Sequence, residues 1–142
     1  MVSMYPACFF KEENGYSVIF PDLNYTATCG ETLEEASRMA VDCLAGYLYT
    51  AEKDNDVIPK PSLASEVIPS EIAKELELRL DDEAFVNMIA VDVKEYAKTH
   101  FEKPVKKTIT IPAWLNNAAK EQHLNLSSVL EDALISRLNT SI

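Results

Sequence analysis

The chain has 142 residues, of which 47% are hydrophobic and 25% charged, as is typical of globular proteins and not of disordered ones. No stretch approaches the roughly 18 apolar residues of a membrane span, and the first residues lack the basic and apolar regions of a signal peptide. We therefore expect a cytoplasmic protein that makes no contact with a membrane.

The net charge of −10 is unevenly distributed along the chain. Residues 1–102 contain 8 Lys and Arg against 20 Asp and Glu, a balance of −12, whereas residues 103–142 contain 5 against 3, a balance of +2. A change of sign between segments favours two parts with different partners, although an acidic solvated surface beside an ordinary tail would give the same numbers. Pro104 is a clean boundary, so the predicted domains are residues 1–103 and 104–142.

Three short strands are predicted before residue 30. The β-rich runs at residues 5–11 and 16–20 flank Asn14-Gly15, the strongest short signal for a hairpin turn. Pro21 ends the second strand because it has no N–H for the ladder. Residues 25–29 are a candidate third strand.

A helix is predicted to follow a capping box. Thr32 is followed three residues later by Glu35, and apolar residues then recur at helical spacing over residues 33–49. Prolines make residues 57–62 extended, and residues 63–83 carry the weakest pattern. The later elements expected in this part are a short helix at 70–78, a buried strand at 85–93 and a helix at 93–101.

The cysteines and histidines form no pattern that indicates catalysis. Cys8, Cys29 and Cys43 lack metal-ligand spacing, and we interpret them as reduced thiols that are mostly small core residues. His100 and His123 are isolated from any nucleophile motif.

A metal-dependent nuclease stays open only through three separated carboxylates. Two-metal sites need convergent carboxylates, and the spacing of Asp22, Asp42 and Asp92 does not demand such a cluster. We expect no enzymatic activity, no bound metal and no cofactor.

The last 38 residues have a pattern of their own. Residues 105–112 alternate as a short strand, with isoleucines on one face and Lys106, Thr108 and Thr110 on the other. Pro112 suits the start of a helix that runs to about His123. A second helix is expected after residues 124–128, which contain good N-cap candidates.

One strand and two helices cannot bury a core of their own, since about 40 residues is the size at which a partner becomes necessary. We therefore expect a second copy to pair with the strand and cover the apolar faces. The resulting two-stranded ribbon fits the major groove of DNA. The predicted dimer core is Ile109, Ile111, Trp114, Leu130 and Leu134.

This segment resembles the ribbon-helix-helix family of dimeric repressors in TITIP, AWLNNAAKEQHLNLSS and VLEDAL. The resemblance implies that Lys106, Thr108 and Thr110 point into the major groove. It also implies that the start of the second helix, at Asn125, Ser127 and Ser128, gives backbone N–H groups to a phosphate. The family often has a left-handed glycine where this chain has Asn125, which tolerates that backbone. The alternative is a tail that docks on the first domain with its lysines merely solvated.

The front part, through GYSVIFPDL, TATCGETLEEA and VIPKPS, resembles the HicB family of antitoxins. The resemblance implies an α+β protein in which a degenerate ribonuclease-H-like α/β domain precedes the DNA-binding domain. Many members have Pro-Gly after PDL, where this chain has Asn24-Tyr25. The resemblance also implies a partner, the RNA-cleaving HicA toxin, which has a catalytic histidine and should be basic. Candidate toxin-binding residues are Glu12, Glu13, Asp22, Glu31, Glu34 and Glu35, although each of them taken singly is better explained as ordinary surface or helix capping.

The resulting functional prediction is an antitoxin that also represses its own operon, assembled as a homodimer or a dimer of dimers. One alternative is a plain repressor whose front domain binds a small ligand or another protein. The other is the metal-dependent nuclease.

Overall fold

A computed structural model describes residues 1–79 and 83–139. The chain divides into two compact units, Met1–Lys103 and Pro104–Ile142. The sequence prediction for residues 63–83 lies partly outside the described residues, at positions 80–82. No helix in the described residues is long and apolar enough to cross a membrane.

The front unit is built on a four-stranded antiparallel sheet. Its strands are β1 (Ser3–Glu12), β2 (Gly15–Phe20), β3 (Thr26–Gly30) and β4 (Ala84–Val91), in the order β3-β2-β1-β4. The predicted hairpin joins β1 to β2, with Glu12 opposite Gly15. Gly15 has a φ of +137°, and a Cβ there would lie 2.2 Å from the Gly30 carbonyl oxygen, so only glycine fits this turn.

Both faces of the sheet are covered by helices, and β1 is buried on both sides. Helix α1 (Leu33–Lys53) covers the face that contains Phe9, while α2 (Pro69–Glu75) covers the face that contains Cys8. Helix α3 (Val93–His100) packs beside α1, where the Tyr96 hydroxyl donates to Asp42 Oδ1 at 2.9 Å. The α+β class predicted from the sequence is confirmed, and the ribonuclease-H-like description of this domain stays a prediction.

Several predicted boundaries were wrong by a few residues. Helix α1 runs to Lys53 instead of residue 49, because Ala51 is buried and extends the apolar face of the helix. Helix α2 ends at Glu75, two residues before the left-handed Glu77. Strand β4 ends at Val91 because the Asp92 side chain accepts a hydrogen bond from the Glu95 N–H at 3.2 Å and caps α3.

The second unit contains two helices, α4 (Ala113–Glu121) and α5 (Leu126–Asn139). The strand predicted at residues 105–112 does not form in the single chain, because a strand needs a hydrogen-bonded neighbour. No described residue from 104 to 139 is buried. This unit therefore has no core of its own.

The turn between α4 and α5 differs from the prediction. The left-handed residue is His123, with a φ of +54°, and not Asn125. Asn125 instead caps α5, since its Oδ1 accepts from the Ser128 N–H at 3.2 Å. Histidine is one of the residue types enriched in left-handed backbone, so the helix can end there without glycine.

Candidate functional site

The hairpin turn and the start of α1 lie side by side at one end of the front unit. Tyr16 pairs with Gly30 across β2 and β3, and the Gly15 Cα lies against the Gly30 carbonyl. This register brings the predicted hairpin acids to the same end as those that begin α1. We call this set the acidic end; its members are Glu12, Glu13, Glu31, Glu34 and Glu35.

Two members of the acidic end also have structural contacts. Glu35 Oε2 accepts from the Glu31 N–H at 2.8 Å, and the Glu35 N–H donates to Thr32 Oγ1 at 3.1 Å, which confirms the capping box. Glu12 accepts a hydrogen bond from the Ser17 hydroxyl. Glu13 and Glu34 are exposed, and their side chains make no hydrogen bond or ion pair with another described residue.

Asp22 lies at the opposite end of the sheet and has a different role. Its Oδ2 accepts from the Ser62 N–H at 2.8 Å and its Oδ1 from the Ser62 hydroxyl at 2.7 Å. The Tyr5 hydroxyl donates to the Pro59 carbonyl in the same proline-containing segment. Burial, and then the charge of Asp22, raise the pKa of Tyr5. Asp22 therefore anchors residues 57–62 on the sheet and is separated from the other five toxin-binding candidates.

Replacing Asp22 with alanine should destabilise the front unit by about 1–3 kcal/mol, because two hydrogen bonds to a charged acceptor are removed. Glu13→Ala, which removes an exposed carboxylate without such bonds, is the matched control and should change stability little. Urea unfolding followed by circular dichroism measures both. Equal stability of the two variants would refute the anchoring role.

The residues considered for metal chemistry are not brought together. Asp22 binds Ser62, Asp42 binds Tyr96 and Asp92 caps α3. Among the described residues, no three His, Cys, Asp or Glu side chains are grouped so that they could hold a metal ion. The geometry therefore gives the nuclease alternative no support.

The cysteines occupy three different environments. Cys8 is buried, and its burial raises the pKa of the thiol to about 11. Cys43 is half-buried, whereas Cys29 is exposed on the edge strand β3. Cys8 belongs to the core and Cys43 packs against it, as expected, whereas Cys29 is exposed on the edge strand.

An apolar groove of about 570 Å³ is the main feature of the second unit. It is lined by Ile109 and Ile111 of the extended segment and by apolar residues of both helices. The other lining residues are Lys107, Leu115, Asn116, Ala119, Leu124, Leu126, Ser127, Val129, Leu130 and Ala133.

Three of the five predicted dimer-core residues line this groove, namely Ile109, Ile111 and Leu130. Trp114 and Leu134 do not line it and are 70% and 53% exposed. Helical spacing alone could not separate Trp114 of α4 and Leu134 of α5 from the groove face, because apolar residues that do not line the groove also occur on both helices.

The candidate DNA-contacting side chains of the extended segment lie outside the groove, whereas Ser127 of α5 lines it. Lys106, Thr108 and Thr110 are exposed and are not among its lining residues, as expected from the alternation. At the start of α5, Asn125 already accepts the Ser128 N–H. Of the predicted phosphate donors, the Ser128 N–H is thus occupied, and the Ser127 N–H has no hydrogen-bond partner among the described residues.

Comparison with known proteins places the chain in a family. The family described as "HicB_like antitoxin of bacterial toxin-antitoxin system" matches residues 5–133. The chain belongs to this family of HicB-like antitoxins. Antitoxin HicB 2 of Photorhabdus laumondii is 38% identical over 77 residues, which cover 52% of this chain and 55% of that protein. Antitoxin HicB 1 of the same organism is 46% identical over 50 residues, 35% of this chain and 32% of that protein. The chain thus spans about half and a third of the length of these curated relatives.

A solved structure extends the likeness over nearly the whole HicB-like chain. A chain of a toxin–antitoxin complex from Streptococcus pneumoniae is 32% identical, with a TM-score of 0.62. The match covers 96% of this chain and 99% of that one.

Some residues of these sites were not predicted from the sequence. Ser62 holds Asp22, and His123 makes the turn before α5. Leu124 and Leu126 line the groove, and the apolar spacing at the start of α5 could have indicated them. The pairing of Ser62 with Asp22 had no signal, because 40 residues separate them.

Proposed function

We propose that this HicB-like chain is an antitoxin whose front unit binds and neutralises a HicA-type, RNA-cleaving toxin. Its second unit dimerises and represses its own operon by binding operator DNA. The observation that carries the proposal is the division of burial and charge between the units. The buried apolar residues lie in the front unit, whose residues 1–102 have a charge balance of −12, while the second unit exposes an apolar groove.

Toxin binding by the front unit is supported by its negative charge and by its similarity to a chain from a toxin–antitoxin complex. A protein that cleaves RNA needs a basic surface, and an acidic partner is attracted to such a surface and meets it faster. Glu13 and Glu34 present exposed carboxylates at the acidic end. The related chain in the Streptococcus pneumoniae structure comes from a toxin–antitoxin complex.

DNA binding by the second unit is supported by the groove and by the alternation of residues 106–111. A second copy would cover Ile109 and Ile111, and pairing of the two extended segments would turn the strand prediction into a two-stranded ribbon. Thr108 and Thr110 would then lie on the outer face of this ribbon, which fits the major groove. The Ser127 N–H at the start of α5 would suit a DNA phosphate.

Co-expression with the neighbouring gene tests the proposal. We expect a small basic protein from that gene to co-purify with this chain, and the complex to shift a DNA fragment from the upstream region of the operon. A chain that shifts this DNA but retains no partner protein would instead be a plain repressor with another ligand for its front unit.

A further inference from the structure

Strand β4 is an edge of the front sheet, and it lacks the features that usually protect edges. Its eight residues, Ala84–Val91, contain no charged residue and no proline. Among the described residues, no hydrogen bond joins another segment to its outer side. Long, uncharged edge strands readily pair with another strand. The opposite edge strand, β3, has only five residues, and shortness is itself a protection.

The exposed side chains of β4 also indicate an uncovered edge. Phe85 stacks on Phe9 with ring centroids 5.0 Å apart, yet it remains 37% exposed. Asn87, two residues further on the same face, is exposed. Ile89 and Val91 on this face are buried against α1 and its neighbours. A strand added beside β4 would cover the outer side of Phe85.

We propose that the strand added to β4 is β4 of a second copy, paired antiparallel about a twofold axis at Asn87. In an antiparallel pair, residues opposite each other lie on the same face. With the axis at Asn87, Phe85 of one copy lies opposite Ile89 of the other, and Val86 lies opposite Met88. The two Asn87 amides face each other and can hydrogen-bond.

The sequence of β4 favours this register and this occupant. An axis at Met88 would place Ala84 opposite Asp92 and each Asn87 opposite an isoleucine, so that the amide would lose a polar partner. With the axis at Asn87, Glu83 lies opposite Val91, so that this carboxylate faces no other carboxylate. Since the front unit is strongly acidic, its uncharged edge is where two copies approach with least repulsion. A twofold pairing of identical strands closes on itself and leaves no further edge at this interface.

Disulfide trapping in the full chain tests the register directly. Asn87→Cys should form a covalent dimer rapidly under mild oxidation, because directly opposed residues bring their Cβ atoms to about 5 Å. Ala90→Cys, an exposed residue of the same strand that lies away from the axis, is the matched control. The parent chain reports the background from its native cysteines. Cross-linking of Asn87→Cys no faster than that of Ala90→Cys would overturn the proposal.

A second, independent test changes the charge of residue 87 and measures the molecular mass. It uses chains that carry Ile109→Asp, so that the second units do not associate. By light scattering we expect this chain to reach twice its 15.9 kDa mass as concentration rises. Adding Asn87→Lys or Asn87→Asp should return it to one copy, and mixing the two variants should restore the dimer. Ala27→Lys, on the opposite edge strand, should have no effect.

Two outcomes would contradict pairing through β4: a chain with Ile109→Asp that stays at one copy at every concentration, or an Asn87 mixture that fails to re-associate. Neither toxin nor DNA enters these experiments, so their failure leaves the proposed antitoxin function unaffected. If the cross-linking test failed and a separate titration with the toxin showed weaker binding by Asn87→Lys, the edge would contact the toxin instead of a second copy.

Discussion

Replacing Ile109 with aspartate should abolish operator binding. Ile109 lines the groove of the second unit but is 56% exposed in the single chain, and its burial by a second copy would contribute roughly 1.5–3 kcal/mol. A carboxylate there would face the apolar groove of the partner and would be costly to bury unpaired. Because the reading ribbon needs two copies, loss of the tail dimer removes DNA binding altogether. Gel-shift titration with operator DNA measures this loss.

Thr108→Ala and Thr110→Ala are the matched controls, since they change the other face of the same segment. They should leave the tail dimer intact and weaken operator binding by about 1–3 kcal/mol for each threonine that reads a base. Thermal melts separate the two effects. If both threonine variants bind the operator as tightly as the parent, and Ile109→Asp also binds it, the ribbon is not the reading element.

Reversing two charges at the acidic end should slow association with the toxin by roughly tenfold at low salt, within the range known for electrostatic steering. Glu13→Lys with Glu34→Lys changes two exposed carboxylates that have no partner among the described residues. The difference from the parent should shrink as salt is added, because steering is screened over about 8–10 Å near physiological ionic strength. Stopped-flow or surface binding kinetics at two salt concentrations measure it.

Glu52→Lys with Glu66→Lys is the control for this experiment. Both residues are exposed, and the change in net charge is the same, but Glu52 lies near the C-terminal end of α1 and Glu66 lies in the segment before α2. If both double variants slow association equally, only net charge matters, and the acidic end is not the toxin-facing surface.

Local signals predicted most of the front unit correctly. Asn14-Gly15 predicted the hairpin, and the pair of Thr32 and Glu35 predicted the start of α1. Both features could be predicted because each depends on interactions within a few residues. The end of α1 could not be predicted in this way, because it depends on the burial of Ala51 in the folded unit. The position of Asp22 against Ser62 likewise depended on an interaction across the fold, so its carboxylate could not be distinguished by sequence from the surface acids.

The second unit shows a different limit. The alternation in residues 105–111 predicts two faces, and the isoleucine face does line the groove, yet no strand forms without a partner to supply hydrogen bonds. At the turn, both His123 and Asn125 tolerate left-handed backbone. Asn125 is also a good N-cap. It caps α5, and His123 is the residue that adopts the left-handed backbone.

RNA cleavage by the purified toxin tests most directly whether the front unit alone neutralises the toxin. The fragment of residues 1–103 should stop cleavage at the same molar ratio as the intact chain, whereas the fragment of residues 104–142 should leave cleavage unchanged. Inhibition by residues 104–142, together with full cleavage in the presence of residues 1–103, would contradict the account.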